Sequence, residues 1–524
     1  MDRKNATSIH SLALAATRGL LADDSLTVNS QMRPMVGADD GMPNLARLDC
    51  FVLTVLGQPG HVLNLLRPMT ILFPSCSSLL MLLTIGCPLL VGTAGRSLAA
   101  DSTNAPMHGP IRALAPDPVV FDETPGTPSP LNTPSSLRLE GGRLVAASER
   151  GGVTSRTEGH WWARICTSDD GGLTWTSRAT PNINQARLFQ AGKAIYYLGH
   201  DQDLKILRSD DRGEHWSAPA DLGTKKPQWY ATACNVWHGK GNVYLVMERR
   251  IYEDNKSGWT IGNLAPVVMR AREQDDLTLP SSWTYASELA FADLIPGYRQ
   301  NDLALDFFGV PFFSQKFPAV NQVSPGRPMH PMGWLETNVV QITDPNHLWF
   351  DPRQRTFHLF MRAHTGGTGF AAIARVVEND DGTLTTGLVH APSGKTQLFL
   401  PFPGGQMRFH VLYDEPTKLY WLLGTQATDS MTRPEALPKD RHQLPNNERT
   451  RLVLHFSKNM VDWCFAGLVA VGPGNRGSRH YASMDVDGDD LVILARSGDE
   501  RAQSAHNGNL ITFHRVRNFR TLIY

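Results

Sequence analysis

The residues of this 524-residue chain that could do chemistry gather where short apolar runs end. Arg362 and His364 end the run FHLFMRAH, and on a strand with alternating side chains they share a face with His358 and Phe360. A planar guanidinium there can read a carboxylate through two parallel hydrogen bonds, which a lysine cannot do. Glu149 and Arg150 end RLVAASER, and Glu158 follows in SERGGVTSRTEGHWW, beside Trp161 and Trp162. Carboxyl groups can pass a proton to a leaving group, and indole faces, including that of Trp334, suit sugar rings. Tyr481 lies in HYASM and Glu336 in WLETNVVQI. A phenol ionises at about pH 10, so a tyrosine acts as a nucleophile only beside a base. Arg449 and Arg451, in NNERTRLVLHFS, add two guanidiniums. Each group also has an ordinary use: a tyrosine with a satisfied hydroxyl, an ion pair between sheets, a ring packed in a core.

What must position these groups is a repeated unit. Six apolar runs end in polar residues: RLVAASER (from Arg143), AIYYLGHD (Ala194), VYLVMERR (Val243), FHLFMRAH (Phe357), LYWLLGTQ (Leu419) and LVILARSG (Leu491). A turn-like stretch precedes each one (EGG, QAGK, HGKGN, DPRQ, DEPTK, DVDGDD), rich in the Gly, Asn, Asp and Pro that tight hairpins need. A short strand comes before each turn, as in RFHVLY, and a third strand follows each run, as in WARICTS. The unit is therefore an antiparallel meander. Runs such as LYWLL are apolar on both faces, as strands sandwiched between neighbours must be. Sixfold repetition of one meander predicts an all-β, six-bladed β-propeller over 135–524.

Two units carry a sharper signal. SDDGGLTW (Ser168–Trp175) and SDDRGEHW (Ser209–Trp216) both fit S-x-D-x-G-x-x-W and lie 41 residues apart; SKNMVDW, from Ser457, is a degenerate third copy. The motif resembles the Asp-box of sialidases and other BNR-repeat propellers. It is a structural device: Asp170 and Asp211 are expected to accept backbone N–H bonds and lock a turn, with Trp175 and Trp216 packed into the blade. The resemblance to the sialidase-like propeller covers nearly all of 130–524. It implies a tyrosine nucleophile (Tyr481), a glutamate that activates it (Glu336), and arginines that hold an acidic group (Arg362, with Arg449 or Arg451). Arg150 and His364 are further candidates for substrate contact.

Two features depart from that family. Its first carboxylate-binding arginine has no counterpart, because Asn132 of LNTPSSL stands in its place. Its acid Asp is missing after the first run, where Glu149 and Glu158 are the nearest carboxylates. The resemblance implies a retaining glycosidase acting on a terminal sugar, an acidic one where the arginines hold a carboxylate. A non-catalytic glycan-binding propeller and a glycosidase with a carboxylate pair stay open as alternatives. Two long insertions, the proline- and aromatic-rich 296–333 and the polar 425–450, suit a ligand site.

Composition narrows the remaining choices. Fifty basic and fifty acidic residues balance, so no nucleic-acid partner is expected from bulk charge. No C-x-x-C or H-E-x-x-H spacing signals a metal, and no cofactor is implied. The segment 69–100 has the layout of a secretory signal peptide, with small residues near Ala99 and an apolar stretch too short and too broken by Gly86 and Pro88 for a stable membrane span. The expectation is an exported protein whose translation starts at Met69, residues 1–68 lying upstream of that start. Residues 101–134 carry eight prolines and read as an extended lead-in. The oligomeric state is left open.

Overall fold

The computed structural model describes residues 112–524, apart from 125–129, 152–161, 202, 225–227, 231–232, 253–260, 296–320, 325–326, 330–332, 366, 431, 433–435, 438–444 and 475, and with the backbone alone at 321–324 and 327–329. The expected signal peptide, Glu158, Trp161 and most of the first insertion lie outside the described residues.

The predicted propeller is present: six antiparallel sheets of four or five strands follow one another along the chain. Blade 1 consists of Leu131–Arg138, Leu144–Arg150, Trp162–Ser168 and Thr176–Ala179. Blade 2 runs Asn184–Ala191, Ala194–Asp201, Asp203–Ser209 and Ala220–Asp221. Blade 3 has a divided inner strand, Trp229–Tyr230 and Trp237–Gly239, before Asn242–Arg250 and Leu264–Arg272. Blade 4 runs Gly333–Val340, Thr356–His364, Phe370–Glu378 and Leu384–Gly387. Blade 5 runs His410–Asp414, Leu419–Gln426, Arg451–Ser457 and Cys464–Val471. Blade 6 runs Ser478–Asp487, Asp490–Gly498 and Leu510–Val516.

The outermost strand of blade 6 comes from the other end of the chain. Val119–Glu123 pairs with Leu510–Val516, and blade 1 opens at Leu131. The stretch 101–134 is thus more than a lead-in, because a closed ring needs one sheet completed by both ends. Its prolines do not prevent this: Pro134 falls within a register shift between Asn132 and Ser135, where no ladder N–H is required. The latch is ionic as well. Buried Asp122 accepts from Ser148 Oγ at 3.1 Å, Arg150 Nε at 3.3 Å and Arg164 Nη1 at 3.2 Å.

The second strands explain the two-faced apolar runs. In blade 1, Leu144 and Ala146 pack with Val492, Leu494 and Phe513 of blade 6, while Val145 and Ala147 pack with Leu188, Ile195 and Tyr197 of blade 2. Each fully buried aliphatic or aromatic side chain stabilises such a joint by about 1.5–3 kcal/mol. Arg362 lies on a second strand of this kind; the inner position belongs to Gly333–Val340, because every meander begins one strand earlier, beside the axis.

Turn locks hold the outer hairpins. Asp170 Oδ1 accepts from Leu173 N at 3.0 Å and Thr174 N at 2.9 Å, and Trp175 Nε1 donates to Gly172 O at 3.1 Å. In blade 2, Asp211 Oδ1 accepts from His215 N at 2.9 Å and Trp216 Nε1 donates to Gly213 O at 3.2 Å. Both turns need a left-handed residue, supplied by Gly172 (φ 94°) and Gly213 (φ 87°).

Beside the axis, neighbouring blades are stitched by side chains. Leu188 N donates to Ser135 Oγ at 2.9 Å, Val339 N to Asn235 Oδ1 at 2.8 Å, and Val411 N to Asn338 Oδ1 at 2.9 Å. Met484 N donates to His410 Nδ1 at 2.8 Å and Ser136 N to Ser483 Oγ at 3.2 Å. In each case an acceptor on one inner strand takes a backbone donor of the next blade.

Candidate active site

Four inner strands break their pairing near their N-terminal ends, between Asn132 and Ser135, Asn184 and Arg187, Leu335 and Thr337, and His480 and Ser483. Each break holds a non-glycine residue in the left-handed region: Thr133 (φ 37°), Gln185 (φ 45°), Glu336 (φ 58°) and Tyr481 (φ 48°). Such a conformation costs about 1–3 kcal/mol and re-aims the side chain. The two residues singled out as nucleophile and base therefore occupy equivalent bulges in blades 4 and 6.

At the matching place on the second strand, the four bulged blades and blade 3 each present a polar residue. Glu149 pairs with Asn132, His200 with Asn184, Glu248 with Tyr230, Arg362 with Leu335, and Arg496 with His480. All five are buried, and they form a ring of polar positions at one mouth of the axis. These are the polar ends of the apolar runs seen in the sequence.

Tyr481 is the centre of the site. Arg362 Nη1 donates to its phenol oxygen at 2.9 Å and to Glu336 Oε2 at 3.2 Å, while Arg362 Nε donates to Gln406 O at 2.8 Å. The Arg449 guanidinium lies 5.0 Å from the Tyr481 ring centroid, that of Arg496 5.6 Å and that of Arg362 6.0 Å. Burial opposes ionisation of the phenol, but Arg362 and Arg449 outweigh it, and the Tyr481 pKa lies below its ordinary value. Burial and the neighbouring Arg449 push Arg496 down to about 10, so it stays charged at neutral pH. Arg449 Nη1 donates to His480 Nδ1 at 3.0 Å and Nη2 to Asn447 Oδ1 at 2.7 Å. Nε of both Arg449 and Arg496 has no partner among the described residues.

Two carboxyl groups across the mouth hold protons instead. Burial pushes Glu149 up to about 8, although it accepts from Ala186 N at 3.1 Å. Burial likewise pushes Glu248 up to about 8; its Oε1 accepts from Thr337 N at 2.9 Å and Thr337 Oγ1 at 2.8 Å, and its Oε2 has no partner among the described residues. Ala186 and Thr337 each follow a bulge residue, so the two glutamates brace equivalent bulges.

The other expected residues fall apart from Tyr481 or resolve an alternative. Arg449, not Arg451, lies over the tyrosine; Arg451 opens the third strand of blade 5. Arg150 is taken up by Asp122 and by the Trp162 ring, 5.2 Å from its guanidinium. His364 closes the strand of Arg362 and is buried. Trp334 is fully buried and donates to Leu264 O at 2.8 Å, so it packs a joint and presents no face to a sugar. Sequence reasoning missed Arg496 and Glu248, though both stand where Arg362 does, at the polar end of a repeat.

No protein-family model matches the chain, and no curated protein matches it. Among solved structures it is similar to an α-L-arabinanase of Penicillium chrysogenum complexed with arabinobiose (11% identity, 78% of this chain and 99% of that one, TM-score 0.41). An α-L-arabinofuranosidase of Fusarium graminearum with an iminosugar inhibitor has 12% identity over 77% of this chain and 98% of that one, with a TM-score of 0.41. Trypanosoma rangeli sialidase in complex with sialic acid has 13% identity over 79% of this chain and 59% of that one, with a TM-score of 0.42.

Proposed function

We propose that the protein is an exported, retaining glycoside hydrolase that removes a terminal acidic sugar, with Tyr481 as nucleophile. The observation that carries this reading is the shared Arg362 contact, 2.9 Å to the Tyr481 phenol and 3.2 Å to Glu336, on two bulged strands. In the first step the phenol oxygen attacks the anomeric carbon and its proton passes to Glu336. A carboxylic acid protonates the departing glycosidic oxygen; Glu149 and Glu248, both pushed up to about 8, carry a proton at neutral pH and suit that task. Water then cleaves the tyrosyl glycoside, giving its proton to the glutamate that served as acid, while Glu336 returns its proton to the departing phenol oxygen. Tyrosine nucleophiles are an established exception to the two-carboxylate scheme. The buried charges of Arg362, Arg449 and Arg496 favour a carboxylate on the sugar, Arg496 standing in for the arginine that Asn132 replaces.

A second reading follows from Glu248. Its Oε2 has no partner among the described residues, and Glu336 is close enough to raise its pKa, so a pair of carboxyls could hydrolyse a neutral sugar without the tyrosine. One experiment separates the two: fluorophore release from a panel of terminal glycosides, including a sialoside, by wild type, Tyr481→Phe and Glu248→Gln. The tyrosine mechanism requires a loss on the order of 10³-fold or more in Tyr481→Phe. Turnover that survives Tyr481→Phe and is lost in Glu248→Gln would move the chemistry to the carboxyl pair. No turnover on any substrate would favour a glycan-binding propeller.

A further inference from the structure

The same axis has a second opening. A cavity of about 610 Å³ is lined by all six blades, through residues such as Arg187, Trp237, Gln341, His410, Tyr413 and Asp485. Arg187 lies just past its bulge, His410 opens the inner strand of blade 5, and Trp237, Gln341, Tyr413 and Asp485 lie toward or beyond the C-terminal ends of theirs. No bulge residue lines the cavity, so it is distinct from the Tyr481 mouth. Asn235 and His410, two of the side chains that stitch the blades, form part of its lining.

Arg187 breaks the pattern of that layer. It stands two residues past its bulge, as Asn338 and Ser483 do in blades 4 and 6. At five blade joints an acceptor side chain on the inner strand takes a backbone N–H of the next blade. A guanidinium has no acceptor atom and cannot make this stitch. Arg187 instead crosses to blade 6, donating from Nη1 to Ser483 Oγ at 2.7 Å. The residue is 6% exposed, its Nε has no partner among the described residues, and no described carboxylate forms a salt bridge with it. Arg408, also buried, is close enough to repel it. Asp485 is close enough to attract it but forms no ion pair with it; the Asp485 oxygens accept from Arg138 N at 2.6 Å and Val486 N at 2.8 Å. The rim side chains are also engaged: Arg138 with Asp487 at 3.0 Å, Glu415 with Lys418, and Glu273 with His238 Nδ1 at 2.8 Å. A buried cation in a structural position costs stability unless an anion meets it.

We propose that this cavity is a second ligand site, where a small molecule bearing an oxyanion docks its charged group on Arg187 and its body against Trp237 and Tyr413. The site is independent of the glycosidase reading, since none of its residues touches Tyr481. The test is thermal unfolding and calorimetric titration with inorganic phosphate and with acetate, against chloride at equal ionic strength. Wild type and Tyr481→Phe should bind one of the two anions saturably and unfold at a higher temperature with it. Arg187→Met should lose the effect. Gln190→Glu, an isosteric change at the cavity lining that leaves Arg187 in place, should weaken binding about tenfold by like-charge repulsion; it decides the matter if Arg187→Met fails to fold. Neither anion binding, binding unchanged in both cavity variants, or binding lost in Arg449→Met but kept in the cavity variants would each overturn the proposal.

Discussion

Blades 1 and 3 and blades 4 and 6 use the same strand position for opposite purposes. At the polar end of the second strand, blades 1 and 3 carry Glu149 and Glu248, while blades 4 and 6 carry Arg362 and Arg496. Burial acts on all four, yet with different results. The glutamates meet backbone donors and hydroxyls, and burial drives them to hold protons. The arginines remain charged and surround a phenol whose ionisation they favour. One mouth thus has a proton-bearing half and a cationic half, set by four residues in one repeated frame.

The largest effect that would break this contrast comes from the cationic half. Arg362→Met removes the link between Tyr481 and Glu336 and leaves the buried Glu336 side chain without that partner. It should destabilise the fold by about 3–5 kcal/mol in urea unfolding. Hydrolysis should fall on the order of 10²–10³-fold, as for loss of a preorganised donor. Arg362→Lys should restore part of the stability and little of the activity, because a single ammonium does not hold both partners in one plane. Full activity in Arg362→Met would remove the cationic half from the reaction.

The proton-bearing half is tested by pH. A glutamate at about 8 in the folded chain, against its ordinary 4.5, keeps its proton through neutrality while the unfolded chain has lost it. Stability is therefore greatest below the unfolded value and declines between about 4.5 and about 8, by up to ~1.4 kcal/mol per pH unit for each such group. Glu248→Gln mimics the protonated acid and should flatten part of that decline when urea midpoints at about pH 5 and about pH 8 are compared. An unchanged slope would mean that Glu248 is ionised in the folded state.

The smallest effect serves as the control. Asp211→Ala removes a turn acceptor far from the mouth and should cost about 0.5–1.5 kcal/mol of stability with hydrolysis unchanged. A loss of activity without a loss of stability would contradict the assignment of this aspartate to the turn alone.

Much of this was legible in the chain itself. The six runs, their turns and the polar residue at each end predict the blades, because a strand packed on both faces needs apolar residues at consecutive positions. Glu336, Tyr481 and Arg362 were singled out by resemblance to sialidase positions, with Arg362 also at the polar end of its run. Glu248 and Arg496 occupy the same place in their repeats and were passed over, since nothing local distinguishes a site residue from a strand end. The choice of Arg449 over Arg451, the use of Arg150 in the latch and the burial of Trp334 depend on partners that lie on other strands, 28 to 70 residues away along the chain.

The sequence by itself determined the repeat, the strand period and the turn locks, because these follow from interactions within a few residues. Only the tertiary structure decided which residues meet at the axis. Closing the ring brings Val119–Glu123 to Leu510–Val516, and it turns the bulged inner strands so that Glu336 and Tyr481 face one guanidinium. It also sets the burial that pushes two glutamates up to about 8. Desolvation and Coulomb interaction depend on distance in space and on the exclusion of water, and neither is written in the order of the chain.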